Sequence, residues 1–338
     1  MSDPVHVLVT LDLSVEQTQQ LQAVSPELLL TVHPARKAAE VPAEIWQPTE
    51  VLFTLTAMPE PEWVPRLKWI QHYFAGVDGI IGHPLLTKPD LKLTSMSGAN
   101  ASQVAEHALA LMLALGRRIP MLYDLQIRNR WLMDRESYQP LPLPGSTVGI
   151  IGYGSLGREL ARLLKPFGVT ILATKRDVMH PEDQGYTPEG LGDPEGDLFD
   201  RLYPPEATRS MLGLCDFVVI ALPLTSATQR AFGKEEVEAM KPGAVLVDVG
   251  RGGVLDHDAL LDALDEGRLS GVGLDVFPEE PLDADNFLWE QQNVIITPHL
   301  AGISPHYLQQ GIDLFAANLA RYLSSEPLFN IIDIKKGY

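Results

Sequence analysis

Residues 147–167, TVGIIGYGSLGRELARLLKPF, constrain this chain more than any other stretch. Residues 148–151 form a short apolar run, the pattern of a strand buried on both faces. The run leads directly into Gly152, Gly154 and Gly157, a G-x-G-x-x-G. Leu156, Leu160, Leu163, Leu164 and Phe167 then recur along one helical face. Strand, glycine turn and helix in that order make a dinucleotide-binding fingerprint. Gly152 permits the tight turn, Gly154 lets the backbone approach a pyrophosphate, and Gly157 lets helix pack on strand. The main-chain N–H groups at the helix start, around Ser155 and Leu156, then face the phosphate charge.

At 338 residues the chain has room for two domains. Its net charge of −18, from 44 acidic and 26 basic residues, argues against nucleic acid or an anionic membrane as partner. One cysteine, Cys215, excludes an intrachain disulfide and a thiolate metal cluster. It stands just before an apolar strand and reads as a small buried filler. No H-E-x-x-H or comparable spacing occurs, so no metal is expected. No signal peptide, lipidation signal or run of about 18 apolar residues is found, and the simplest expectation is a cytoplasmic protein.

Before the fingerprint, short apolar runs at 5–10, 28–33, 50–55, 68–74 and 91–95 alternate with amphipathic or polar segments. This is an α/β unit of its own without a glycine fingerprint. Turns follow two of its strands, Phe74-Ala75-Gly76-Val77-Asp78 and Ser97-Gly98-Ala99-Asn100. They read equally as connections or as ligand loops at carboxyl strand ends. Residues 101–116 predict a long helix, apolar over more than half its circumference, on which His107 reads as a packed, hydrogen-bonded residue. Residues 118–146, with Trp131, Tyr138 and four prolines, read as a loosely structured arm.

After the fingerprint strand, further strands are predicted at 169–173, 216–221, 244–249, 271–276 and 293–296. Six strands in this rhythm match a doubly wound nucleotide-binding sheet. Residues 177–200, rich in Gly, Pro and acid, break the rhythm and read as an exposed insertion with a solvated acidic surface. A last helix is predicted over 304–323.

An acid at the end of the second strand would hold the adenosine ribose and mark NAD. Here that end reads Thr174-Lys175-Arg176-Asp177, with Lys175 at the acid position and Arg176 beside it. Two cations there suit the 2′-phosphate of NADP, so NADP is the preferred cofactor, with NAD as the alternative. A shift of one or two residues would return an acid, Asp177, to the position.

Three later segments carry groups able to do chemistry, each at the carboxyl end of a predicted strand: Val249-Gly250-Arg251-Gly252-Gly253, Asp275-Val276-Phe277-Pro278-Glu279-Glu280-Pro281, and Thr297-Pro298-His299-Leu300-Ala301-Gly302. With VAEHALALMLALGRR, the fingerprint and ALPLTSAT, they resemble the D-isomer-specific 2-hydroxyacid dehydrogenases over nearly the whole chain. The resemblance implies a Rossmann cofactor domain over 101–299 and a smaller flavodoxin-like α/β substrate domain from both chain ends, 1–100 and 300–338. Helices near 101–117 and 304–323 would link the two. It implies that Arg251 binds the substrate carboxylate and carbonyl, that His299 is the general acid/base and that Glu280 is its partner. It also implies that N–H groups of Ala75 and Gly76 hold the carboxylate. Asp275 would lie near the nicotinamide amide, and Pro223 near the cofactor.

These residue types suit the chemistry. Reducing a 2-keto acid needs a hydride donor, a proton donor and a cation for the carboxylate. Arginine offers a bidentate fork and polarises the keto oxygen, and a histidine beside a carboxylate can carry a proton near neutral pH. Glu280 is preferred to Glu279 because it directly precedes Pro281.

Within the family, Glu280 stands where formate dehydrogenases have Gln. The stretch after His299 lacks the Arg that phosphite dehydrogenases and many glyoxylate reductases carry there. No additional regulatory domain of the phosphoglycerate dehydrogenase kind is expected. The ending, with TPHLAGIS, looks like the NADPH-linked glyoxylate/hydroxypyruvate reductases, so a small 2-keto acid is expected. Phe74, Tyr307 and Leu308 leave a larger apolar or aromatic 2-keto acid as the alternative. Dinucleotide-sensing corepressors share the fold and the three catalytic residues, which keeps a sensing role open. The resemblance also implies a homodimer, with the arm around Trp131 and Tyr138 as the exchange element.

Overall fold

The structure is a computed structural model and describes residues 4–338. It divides into two compact units, one of residues up to Asn100 with Gln184–Tyr186 and Ser304–Tyr338, the other of Ala101–Asp183 and Thr187–Ile303. No helix among the described residues is long and apolar enough to cross a membrane.

The first unit opens with β1 (Val5–Val9), α1 (Val15–Gln22), β2 (Leu28–Val32), α2 (Ala43–Trp46), β3 (Val51–Thr54), β4 (Trp69–His72) and β5 (Lys92–Thr94). All strands are parallel, in the order β2-β1-β3-β4-β5. That is the doubly wound order of flavodoxin-type sheets. α1 starts where Ser14 and Gln17 cap each other reciprocally, a capping box.

The second unit begins with α3 (Ala101–Gly116) and α4 (Ile119–Ile127) and continues through β6 (Thr147–Ile151), α5 (Ser155–Leu164), β7 (Thr170–Thr174), β8 (Arg201–Tyr203) and α6 (Thr208–Leu212). It ends with β9 (Phe217–Ile220), α7 (Lys234–Ala239), β10 (Val245–Asp248), α8 (His257–Asp265), β11 (Gly271–Leu274) and β12 (Val294–Ile296). The seven strands are parallel in the order β12-β11-β10-β9-β6-β7-β8. Alternating residues feed separate cores: Leu246 and Val218 face one, Val245, Val247 and Val219 the other. α3 packs Leu115 against Gly271, and Leu111 and Leu115 against Gly273 of β11, so closely that a Cβ on either glycine would stand 3.0–3.2 Å from the nearest leucine carbon.

The chain returns to the first unit as α9 (Tyr307–Leu323). Its apolar face delivers Phe315 to Phe53 and Trp69, with ring centroids 4.5 and 5.4 Å apart. Polar bonds tie the same layer: the Trp69 indole N–H donates to Thr94 Oγ1 at 2.8 Å, and the Asn318 amide donates to Gln71 Oε1 at 3.2 Å.

Three expectations are corrected. The sheet of the second unit has seven strands, because β8 escapes a periodicity test at only three residues. The arm at 118–146 contains a helix, α4, begun with a proline in its first turn. Residues 177–200 are not simply an exposed, solvated insertion. Glu182, Glu189, Glu195 and Asp197 are exposed, but Asp193 is 2% exposed and Leu198 and Phe199 pack on the core. Gln184–Tyr186 belongs to the first unit, where the Tyr186 N–H donates to Asn330 Oδ1 at 3.0 Å.

Candidate active site

The carboxyl ends of β6, β7 and β9–β12 share one edge of the parallel sheet, so the loops that follow them line a common rim. β6 runs into the fingerprint and α5. A Cβ on Gly157 would stand 2.3 Å from the Gly152 carbonyl oxygen, which is why the helix can seat only on a glycine there. Nothing lies within 4 Å of a Cβ on Gly154, and no side chain caps the helix at that residue. Ser155 and Leu156 open the helix beside this clear backbone. The Gly152 N–H is already given to Thr174 Oγ1 at 2.9 Å and the Tyr153 N–H to the Thr174 carbonyl at 2.8 Å, which binds the turn to β7. An open glycine at an uncapped helix start fits a dinucleotide pyrophosphate.

At the end of β7, Lys175 is partly buried and Arg176 exposed. The Lys175 ammonium donates to the carbonyl oxygens of His180 and, at 3.4 Å, Glu182. Burial and the nearby Arg158 cation hold its pKa below the usual lysine value. Asp177 has its own partners. Its carboxylate lies 2.7 Å from His180 Nδ1 and accepts the N–H of Met179, and this pairing raises the pKa of His180.

The insertion that follows is anchored by buried polar groups. Arg158 of α5, 1% exposed, donates to the carbonyl oxygens of Asp193 and Pro181 and lies 3.7 Å from Asp183. The Tyr153 hydroxyl donates to Asp193 Oδ2 at 2.6 Å, and Asp193 also accepts the N–H groups of Gly196, Asp197 and Leu198. Burial opposes ionisation of Asp193, but the Tyr153 hydroxyl and these N–H groups outweigh it and hold the carboxyl below its usual pKa.

Arg251 follows β10 and gives one guanidinium N–H to the Gly250 carbonyl at 2.8 Å. Pro223, after β9, accepts the Thr228 hydroxyl at 2.6 Å. Gly252 sets the distance between two of these loops: a Cβ there would lie 1.8 Å from the Phe277 carbonyl oxygen. The Arg251 loop therefore rests directly on the backbone of the loop bearing Glu280. In that loop Glu280 Oε1 accepts the Phe277 N–H at 3.0 Å, and Oε2 lies 2.8 Å from His299 Nδ1. Both side chains keep a solvent-facing part, with 36% of Glu280 and 46% of His299 exposed.

His299 sits in the left-handed region, φ 53°. Asp275 supports that backbone. Its carbonyl accepts the His299 N–H at 2.8 Å, and its carboxylate accepts Leu300 N–H, Ala301 N–H and the Thr297 hydroxyl. His107 Nε2 lies 2.9 Å from that same hydroxyl oxygen, so α3 braces the loop as well. Asp248, at the end of β10, accepts the Gly250 N–H through one oxygen while the other is buried without a hydrogen-bond partner. Burial pushes its carboxyl up to about 7. The Gly250 N–H opposes the rise, the Asp275 charge adds to it and Arg251 counters.

Ala75 and Gly76 stand just beyond β4 in the first unit, and neither N–H enters a main-chain hydrogen bond among the described residues. Asp193, Arg158, Tyr153 and Asp248 did not emerge from sequence reasoning. A buried arginine on a helix and an aspartate at a strand end carry no periodic signature.

A sequence profile of the NAD-binding domain of the D-isomer-specific 2-hydroxyacid dehydrogenases matches residues 109–301, more than half the chain. This chain belongs to that family. The dehydrogenase is 33% identical over 275 residues to a glyoxylate reductase of Thermococcus litoralis, covering 80% of this chain and 78% of the relative. Its fold is similar to a D-isomer-specific 2-hydroxyacid dehydrogenase of Xanthobacter autotrophicus Py2 solved with NADPH and MES, with TM-score 0.79, 28% identity and full coverage of both chains. It is also similar to an NADPH-dependent glyoxylate/hydroxypyruvate reductase of Sinorhizobium meliloti solved with NADP and sulfate, with TM-score 0.75, 25% identity, 99% of this chain and 100% of that one covered. The dehydrogenase is an oxidoreductase of NAD or NADP with the two-sheet α/β architecture of its family.

Proposed function

We propose that this dehydrogenase reduces a small 2-keto acid, such as glyoxylate or hydroxypyruvate, with NADPH as the preferred donor. The observation that carries the reading is the Glu280–His299 pair, 2.8 Å apart across two loops, with the Arg251 segment pressed through Gly252 against the loop that bears Glu280. The bound nicotinamide cofactor supplies the hydride. Glu280 fixes Nδ1 of His299, leaving Nε2 to deliver a proton to the carbonyl oxygen as the carbonyl carbon is reduced. Arg251 holds the substrate carboxylate and polarises the carbonyl, where negative charge develops. Main-chain N–H groups of Ala75 and Gly76 are further donors to the carboxylate. Asp275 acts by shaping the His299 loop at the nicotinamide end, and Pro223 lies near the cofactor.

Gly152, Gly154, Ser155, Leu156 and Gly157 hold the pyrophosphate, and Lys175 with Arg176 the 2′-phosphate. The engagement of Asp177 by His180 supports NADPH, since that acid already has a side-chain partner. The similarity to proteins named glyoxylate reductase supports a small substrate.

The dehydrogenase works as a homodimer through the arm after α3. Ile127, Trp131 and Met133 are 63, 78 and 86% exposed, apolar side chains that a second copy would cover. Light scattering should give twice the chain mass, and a 37 kDa particle at micromolar concentration would overturn the dimer.

The activity is tested by following NADPH and NADH oxidation with glyoxylate, hydroxypyruvate, pyruvate and phenylpyruvate. Fast turnover of NADPH with either of the first two is expected. Turnover with phenylpyruvate alone would move the substrate to a larger keto acid, and a tenfold preference for NADH would reject the cofactor assignment. No turnover with any pair would reject these substrates and favour the dinucleotide-sensing role.

A further inference from the structure

The segment between Lys175 and β8 is fastened to the fingerprint turn by groups that take no part in hydride transfer. Arg158, Tyr153 and Asp193 are each no more than 2% exposed. The Tyr153 hydroxyl meets Asp193, Asp193 gathers three main-chain N–H groups of its own loop, and Arg158 holds the Asp193 and Pro181 carbonyls. The Gly192 N–H adds a bond to Glu159 of α5 at 2.7 Å. Buried charges are costly unless they are paired, and here both Arg158 terminal nitrogens and both Asp193 oxygens have partners, while Arg158 Nε has only the Asp183 charge 3.7 Å away. The residues on either side of Pro181, His180 and Glu182, hold the Lys175 ammonium through their carbonyls.

We propose that the latched insertion is a specificity-determining element for the cofactor, fixing Lys175 through main-chain carbonyls so that it receives the 2′-phosphate of NADPH. The inference rests on the assignment of Lys175 to that phosphate. A lysine on a flexible four-carbon stem loses rotamer freedom when it captures an anion. Here two acceptors hold the ammonium before the anion arrives, and one of its three N–H donors remains for a phosphate oxygen. Three acids of the insertion have side-chain partners, Asp177 with His180, Asp183 with Arg158 and Asp193 with Tyr153. The insertion thus brings two carbonyls to the cation, and the charges of Asp183, Asp177 and Glu182 also favour its protonated form. Tyr153 and Asp193 are positioning residues in this scheme and touch neither substrate nor cofactor through their side chains.

The test is calorimetric titration of adenosine 2′,5′-bisphosphate and, separately, AMP into wild type, Tyr153→Phe, Asp193→Asn, Lys175→Ala and the Asp193→Asn/Lys175→Ala double variant. Wild type should bind the bisphosphate more tightly than AMP. Asp193→Asn should weaken bisphosphate binding about tenfold, the scale of one hydrogen bond to a charged group, and leave AMP within about twofold. Tyr153→Phe, which removes a single oxygen and keeps the ring packed, should act in the same direction. kcat at saturating NADPH should stay within about twofold in both, with the loss confined to KM for NADPH. In the double variant the two losses should not multiply, because Asp193 acts through Lys175. Equal losses for AMP and bisphosphate, multiplying losses, or full discrimination in both latch variants would overturn the proposal. A wild type that does not discriminate would reject the phosphate assignment itself, and the latch proposal with it.

Discussion

Glu280 divides its carboxylate between two neighbours, accepting the Phe277 N–H at 3.0 Å through one oxygen and facing His299 Nδ1 at 2.8 Å through the other. The first contact fixes the carboxylate and the second fixes the ring, so the imidazole meets a preset counter-charge. Glu280→Gln keeps an acceptor but removes that charge. It should lower kcat by about 10- to 100-fold with KM for the cofactor nearly unchanged, while His299→Ala should cost about 10²- to 10⁴-fold. Steady-state kinetics on both variants checks this, and a Glu280→Gln enzyme of wild-type kcat would remove Glu280 from the mechanism.

The His299 loop depends on Asp275, whose carboxylate receives the Thr297 hydroxyl and the N–H groups of Leu300 and Ala301. In Asp275→Asn one end of the side chain becomes a donor facing donors. A loss of about 1–3 kcal/mol is expected, the cost of stranding one buried polar group. Thermal unfolding should show a lower Tm, and kcat should fall because His299 is no longer held. A variant with both values unchanged would mean that the loop holds its own shape.

Much of this site was legible from residue order. The fingerprint was readable because a buried strand, three glycines and an amphipathic helix are all local patterns, and α3 appears at Ala101–Gly116 where its apolar face indicated. Glu280 and His299 could be named from their motifs, yet their 2.8 Å pairing is a tertiary fact that spacing alone does not contain. The insertion was misread for a physical reason: Gly, Pro and acid describe a solvated loop, while its order comes from Arg158 and Tyr153, which precede it. A buried arginine is legible only once its carbonyl partners are placed. β8 was missed because three residues beside an existing sheet edge need little intrinsic strand propensity.

Gly252 is the contact point between the Arg251 and Glu280 loops. An alanine methyl there would approach the Phe277 backbone oxygen to 1.8 Å, and no flexible side chain can yield to it. Gly252→Ala should therefore shift Arg251 away from the pair and cost about 1–3 kcal/mol or more in stability. The expected readout is a fall in kcat/KM of at least about tenfold together with a lower Tm. Full activity in a folded Gly252→Ala protein would show that the loops can separate without consequence.

Asp248 gives the fold a pH dependence whose sign is fixed by its environment. Burial raises its carboxyl from the usual 3.8 to about 7, so the folded state holds a proton that the unfolded chain releases. The resulting stability is complete below about 4, declines as pH rises through about 7, and amounts to roughly 4 kcal/mol at most. His72 acts in the opposite sense: burial lowers it from 6.5 to about 4, with the Asp78 charge opposing, and stability grows as pH rises between those values. The two slopes oppose each other in mild acid, and only Asp248 remains above about 6.5. Asp248→Asn removes one titration and leaves His72 intact, so the difference in Tm between variant and wild type isolates Asp248. That difference should move by several degrees in favour of the variant between pH 4 and pH 8, on the order of the stability change converted through the unfolding entropy. A difference that stays flat across this range would mean that Asp248 keeps an ordinary carboxylate charge inside the fold.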